Sequence, residues 1–235
     1  MVYSFLMFIL VRNAVQYALL ALLYQLAQSG ASGGLVDLLI LRDETGAYNG
    51  YSGDVSSIIA ALGFIGGALA VWSTAKLLIT KNKEDMHLSH LKKEGKAKYA
   101  LLVATTIGAV IGFNLLFELL GVTNKSEAYT EVVSQQYSAH FIVGILVFGF
   151  ISPIAEELLF RGVIYGYLRR FMDLKLSIAL SALIFGVYHM NYVQGIYGFL
   201  IGCLMAYAYE YFGEFKMAVL VHVASNVLAY CLSYT

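Results

Sequence analysis

The sequence predicts an all-α protein, a polytopic transmembrane helix bundle of about seven spans. Three observations predict it: 60% of the 235 residues are hydrophobic, only 13% are charged, and the apolar residues fall into long uninterrupted stretches. Mean hydropathy is +0.73. A soluble domain carries roughly 25% charged residues, and a chain this apolar cannot cover its outside in water. A helix crossing the bilayer core needs about 20 apolar residues, a length this chain supplies several times over.

Seven stretches can be drawn, at residues 2–28, 55–80, 99–122, 141–168, 176–190, 193–212 and 215–233. The fifth is short, and Asn191 to Gln194 are expected to extend it. Arg12 and Asn13 interrupt the apolar core of the first, which also lacks a basic leader, so it reads as a retained helix and not as a signal peptide. Within the loop that follows, residues 35–41 are too short to span and are expected at the interface. No internal repeat or separate soluble segment is visible. The whole chain, 1–235, therefore reads as one integral membrane domain, with 1–140 carrying membrane helices and 141–235 a motif-bearing core.

Lysine and arginine set the orientation. Residues 81–98 (KNKEDMHLSHLKKEGKAK) form the most basic loop. Arg169, Arg170 and Lys175 follow the fourth span, and Lys216 opens the seventh. The alternate loops are acidic: 29–54 holds Asp37, Asp43, Glu44 and Asp54 against Arg42, and 123–139 holds Glu127 and Glu131 against Lys125. The amino terminus is predicted to be cytoplasmic, and the compact chain suggests a prokaryotic cell membrane. Fifteen basic and fifteen acidic residues cancel, leaving no nucleic-acid footprint. Cys203 and Cys231 sit in apolar runs without metal spacing and read as a buried, inert pair. A single Pro and 22 Gly suit packed membrane helices.

The informative residues are polar groups at bilayer depth, where an ionisable side chain costs about 2.5–3.5 kcal/mol even on a lenient scale. Span four holds Glu156, Glu157 and Arg161, span five His189, and span seven His222 and Asn226. Glu157 and Arg161 stand at i and i+4 and can neutralise each other. Glu156 points about 100° away and is freer to face a cavity. His222 and Asn226 share a face with Ser225 beside them. Ser177, Ser181, Phe185 and His189 line one face of span five.

Depth brings these groups together. At about 1.5 Å per residue, Glu156 and His189 lie roughly 20 Å from the basic boundary, with His222 and Asn226 roughly 9 and 15 Å deep. Ser152-Pro153 precedes the glutamates, and the helix is expected to kink there or restart with Ser152 as N-cap. A glutamate at such depth suits a general base, and imidazole and amide donors suit an oxyanion.

The motifs EELLFR (Glu156–Arg161), FGVYH (Phe185–His189) and HVASN (His222–Asn226) resemble the EExxxR, FxxxH and HxxxN motifs of the CAAX protease and bacteriocin-processing family, which includes the Ras-converting CAAX endopeptidases. The resemblance covers about residues 148–230. It implies that Glu156 and His189 activate a water against a peptide carbonyl and that His222 and Asn226 stabilise the oxyanion or hold the water. Glu157, Arg161 and Phe185 would support them.

Each motif also has a structural reading: an ion pair as glue, a histidine as a packing residue, or His-xxx-Asn as a bridge to a neighbour. Gly198-xxx-Gly202-xxx-Ala206 reads as close helix packing. His87, His90 and His140 fall in loops or at span ends and read as solvated. Arg12, deep in span one, has no account in the sequence.

Two site chemistries fit. Zinc takes three protein ligands and a water, and Glu156, His189 and His222 are the candidates. A glutamate-activated water needs no ion, and the absence of HExxH favours that choice.

The leading expectation is an intramembrane endopeptidase acting on a membrane-associated peptide or a lipidated CAAX-type protein tail, with peptide pheromone or bacteriocin precursors as prokaryotic substrates. The alternatives are a non-cleaving peptide-binding or bacteriocin-immunity membrane protein, and a proton-coupled transporter relaying through Glu156 and His189. The partners are the bilayer and that substrate. The pocket is expected to open toward the basic loops, the shorter wet path.

Overall fold

The computed structural model describes residues 1–30, 33–85, 95, 97–121 and 126–234. Its order is α1 (Val2–Gln28), α2 (Leu35–Leu39), a hairpin of β1 (Leu41–Arg42) and β2 (Tyr48–Gly50), α3 (Gly53–Asp85), α4 (Ala97–Leu119), α5 (Glu127–Gln136), α6 (Phe141–Leu168), α7 (Leu174–Tyr188), α8 (Tyr192–Phe212) and α9 (Phe215–Ser233). Among the described residues six helices are long and apolar enough to cross a membrane: α1, α3, α4, α6, α8 and α9. The chain is an integral, multi-pass membrane protein built almost wholly from helices.

Spans one to four and six to seven fall within a few residues of their expected ends. The fifth stays short. Asn191 does not extend α7; it caps α8, its side chain accepting from the Gln194 N–H at 2.8 Å. Met190 makes the turn between the two helices at φ 58°, a left-handed conformation that a side chain rarely adopts. The segment expected at the interface is a single helical turn followed by the two-stranded hairpin, whose tip is held by three hydrogen bonds onto Asp43 Oδ1, from Thr45 N, Thr45 Oγ1 and Ala47 N. The cysteines are not a buried pair: both are free, and Cys231 is exposed. His87 and His90 lie outside the described residues, as does most of the basic loop.

Helix α6 is the centre of the bundle. Every residue from Leu158 to Gly166 is buried, the pattern of a helix surrounded by other helices. Glycines set how closely neighbours approach it. A Cβ on Gly162 would stand 3.0 Å from the Ala75 Cβ of α3. At Gly166 the backbone carbonyl takes a 2.9 Å hydrogen bond from Asn82 of α3. The outer face of α3 does the same for α1: Gly63, Gly66 and Gly67 face Gln16, Val15 and Phe8. Gly198 and Gly202 likewise admit α7 against α8, and small residues at such crossings let backbones meet where no hydrophobic force drives helices together.

One end of the bundle gathers the charges. Arg169 pairs with the fully buried Glu210 at 3.0 Å, and Tyr165 donates to the same carboxylate at 2.6 Å. Glu214, in the turn between α8 and α9, binds Lys216 at 2.7 Å and Lys98 of α4 at 3.1 Å. Hydrogen bonds from Lys216 and then Lys98 hold its carboxyl below the usual range. These contacts place the ends of α4, α6, α8 and α9 on one basic face.

The α7–α8 crossing is testable. A Cβ on Gly186 would meet the Gly195 carbonyl oxygen at 2.5 Å, whereas one on Gly108 of α4 meets nothing within 4 Å. Thermal unfolding in nanodiscs should show Gly186→Ala destabilised by about 1–3 kcal/mol, the usual cost of overpacking, and Gly108→Ala unchanged. Equal behaviour of the two would refute the close crossing.

Candidate active site

The carboxylates sit on α6 where its winding changes. Ser152–Glu157 is α-helical, with π-helical stretches on either side at Ile145–Ile151 and Leu158–Tyr165. Such wider turns re-aim side chains and are frequent at functional sites. Pro153 accounts for the first of them. The Ser152 N–H bonds to the Val147 carbonyl, and the next donor in that register would come from residue 153, which has no N–H. The Phe148 carbonyl is left without a helical donor, and Asn226 Nδ2 from α9 supplies one at 3.0 Å. The helix therefore does not restart at Ser152, which has helical dihedrals and makes no capping bond. Its hydroxyl lies 3.4 Å from Glu156 Oε1.

Glu157 and Arg161 are fully buried and paired at 2.8 Å. Arg161 Nη2 also donates to the Gly202 carbonyl of α8 at 2.9 Å, and its guanidinium lies 4.8 Å over the Phe185 ring of α7. Gly202 leaves the space for this reach: a Cβ there would stand 3.1 Å from Arg161 Nη2.

The same Glu157 Oε1 binds His222 Nδ1 of α9 at 2.8 Å. A carboxylate paired to a guanidinium only accepts, so His222 donates from Nδ1. Its Nε2 is turned toward Glu156, 3.7 Å from Oε2. His189 is oriented by a parallel device. It caps the C-terminus of α7, where Nδ1 sits 2.9 Å from the Phe185 carbonyl. A carbonyl cannot donate, so Nδ1 carries the proton and the neutral ring keeps a lone pair on Nε2.

Phe185 stands between the two imidazoles. It is edge-on to His189 at 4.8 Å and to His222 at 5.3 Å, with Phe160 behind it at 4.9 Å. Three helices thus bring Glu156, His189, His222 and Asn226 to the wall of one cavity of about 530 Å³, together with Ser152 and Phe185. Glu157 and Arg161 lie behind that wall. His140 is not in this wall; it is exposed and lies 2.6 Å from Asp54, at the end of the bundle away from the basic face.

Among the described residues no three His, Cys, Asp or Glu side chains are gathered as a metal ion would require. The donor set Glu156, His189 and His222 has the right chemistry for zinc but is not gathered as an ion would require.

Sequence reasoning missed several cavity residues. Arg12 and Gln16 of α1, Tyr188 of α7 and Tyr197 of α8 line it. So does a stripe of α5, Tyr129, Val132, Val133 and Gln136, at the i, i+3, i+4, i+7 spacing of one helix face. In the sequence α5 was only part of an acidic loop, and the one available signal for the rest was a charge in mid-span, Arg12. The expected opening toward the basic loops is not met. The cavity draws its walls from the other end of the bundle, because α7 stops at His189 and α5 closes in beside it.

The link between Pro153 and Asn226 can be measured. Asn226→Ala strips the Phe148 carbonyl of its donor and should cost about 1–3 kcal/mol. In a Pro153→Ala background, where residue 153 regains an N–H, the loss in thermal unfolding should shrink markedly. An equal cost in both backgrounds would show that the amide does not serve that carbonyl.

No curated protein and no solved structure matches the chain significantly. The first three spanning helices fall outside the stretch that matches a family model. Residues 138–228, which hold all three motifs, match the family model described as type II CAAX prenyl endopeptidase Rce1-like, a family of CAAX endopeptidases and the one that the motifs resemble.

Proposed function

We propose that the chain is an intramembrane endopeptidase in which Glu156 and His189 activate a water against a peptide bond. The observation that carries the reading is the convergence of Glu156 and two imidazoles on one cavity, each ring fixed at Nδ1 and free at Nε2. The proposal takes the whole chain as one membrane domain with residues 141–235 as its catalytic core. Substrates are membrane-associated peptides or lipidated protein tails, with pheromone or bacteriocin precursors among them.

In this mechanism the water oxygen adds to the carbonyl carbon while its proton passes to Glu156, with His189 Nε2 accepting from the same water. The carbonyl becomes an oxyanion. His222 can donate to it from Nε2 only as an imidazolium, since its Nδ1–H is spent on Glu157, whose carboxylate suits that charge. The second N–H of Asn226 is the other available donor. Collapse breaks the C–N bond, Glu156 returns its proton to the leaving nitrogen, and a carboxylic acid and an amine result.

Orientation follows from charge. The basic face belongs on the cytoplasmic side, which puts the amino terminus inside and the cavity toward the outer face.

Glu156→Gln should abolish release of peptide fragments, read by mass spectrometry of membrane peptides, while leaving thermal stability intact. Glu157→Gln should lose activity and also about 3–5 kcal/mol of stability, because it strands the buried Arg161. Full proteolysis by the Glu156 variant would sink the catalytic assignment, and a biological output that survives it would favour a non-cleaving peptide binder.

The orientation is tested in a background lacking Cys203 and Cys231. Ser233→Cys, at the cavity end, should react with an impermeant maleimide on intact cells, and Lys216→Cys only after permeabilisation. The reverse pattern would invert the topology.

A further inference from the structure

Among the described residues Arg12 has no ion-pair partner. Its Nη1 donates to the Tyr188 hydroxyl, and its guanidinium lies 4.2 Å over Phe64 and 5.7 Å from the Tyr188 ring centroid. Its Nε is buried with no partner, and no carboxylate among the described residues forms an ion pair with it. Aromatic faces and a phenol ease the burial of a guanidinium but do not neutralise it. Yet the fold brings it here deliberately: the glycine face of α3 draws α1 in until Arg12 and Gln16 stand in the wall of the cavity that Glu156 and His189 also line. The Tyr197 hydroxyl, in the same wall, is a second buried polar atom with no partner.

We propose that Arg12 is the anion-binding residue of this cavity and receives a carboxylate of the peptide substrate. The guanidinium fork matches a carboxylate in two parallel hydrogen bonds, which an ammonium cannot do. Lipid phosphates are out of reach. Arg12 lies about 15 Å along α1 from its N-terminus and about 24 Å from its other end, at the level of the bilayer core and not of the headgroups. The carboxylate comes from the substrate's chain end or from an acidic side chain. Either one, docked on Arg12, tethers the peptide with its backbone alongside Glu156 and His189. The proposal rests on the cavity being a peptide site, and it gives α1, which lies outside the family match, a part in choosing the substrate.

The test is binding to the full chain in nanodiscs, with Glu156→Gln to prevent turnover. The probes are pools of N-palmitoylated tetrapeptides of randomised neutral sequence, as free acids and as C-terminal amides, and a third amide pool with one internal Glu. Retained peptides are quantified by mass spectrometry. At least one carboxylate-bearing pool should be enriched about tenfold over the neutral amides; which one identifies the source. Arg12→Gln should abolish the enrichment and Arg12→Lys should reduce it, while Tyr188→Phe keeps it. Equal retention of all pools, or none, overturns the proposal. So does enrichment that survives Arg12→Gln, or that Tyr188→Phe removes equally, since Arg12 would then only brace the phenol. Carboxylate-selective binding without any cleavage by the unmodified protein would refute the protease and leave the subsite standing. Cleavage of acid and amide pools at equal rates would do the opposite.

Discussion

The site hangs on one fully buried ion pair. Arg161 holds Glu157, and through its second nitrogen it holds the backbone of α8 at Gly202. Glu157 in turn holds His222 of α9, and the face of the guanidinium rests on Phe185 of α7. Both charges are out of contact with lipid and solvent, so their desolvation is offset only if every one of these partners stays in place. That makes the pair a poor source of stability and a strong source of specificity. Four helices can reach their partners in one arrangement only, and that arrangement sets the spacing of the two imidazoles.

A second constraint comes from Pro153. Its missing N–H opens the ladder of α6 just before the glutamates, and the vacancy at the Phe148 carbonyl is filled from α9. Asn226 thus ties the helix of the carboxylates to the helix of His222 with one of its two N–H groups. The structural reading of the HxxxN motif and the functional one are not exclusive here. The amide that satisfies a stranded carbonyl is also a wall of the cavity, held by that bond with its remaining donor in a fixed place.

The cavity itself is made by a length mismatch. At fifteen residues, α7 ends where its neighbours continue, and His189 is placed at that end by the left-handed turn at Met190. The surrounding helices and α5 extend past it, so space remains above the histidine on the side away from the basic face. Helix α1 completes the wall because α3 offers it glycines instead of side chains.

The sequence by itself determined that this chain lives in a bilayer, because its apolar stretches match the hydrocarbon thickness and no polar surface is available to replace lipid. It also determined which side chains are costly enough to need a reason. Glu156, Glu157, Arg161, His189, His222 and Asn226 all stand out against apolar helices, and i, i+4 spacing alone pairs Glu157 with Arg161. What only the tertiary structure decided depends on contacts between residues far apart in the chain. That Glu157 serves His222, that Asn226 answers Pro153, and that Arg12 faces the cavity cannot be read from spacing, since each links different helices. The direction of the cavity is not legible in the sequence for the same reason. Charge in the loops orients the helices in the membrane, but where space is left between them is set by how far each helix extends and how closely glycines let its neighbours approach.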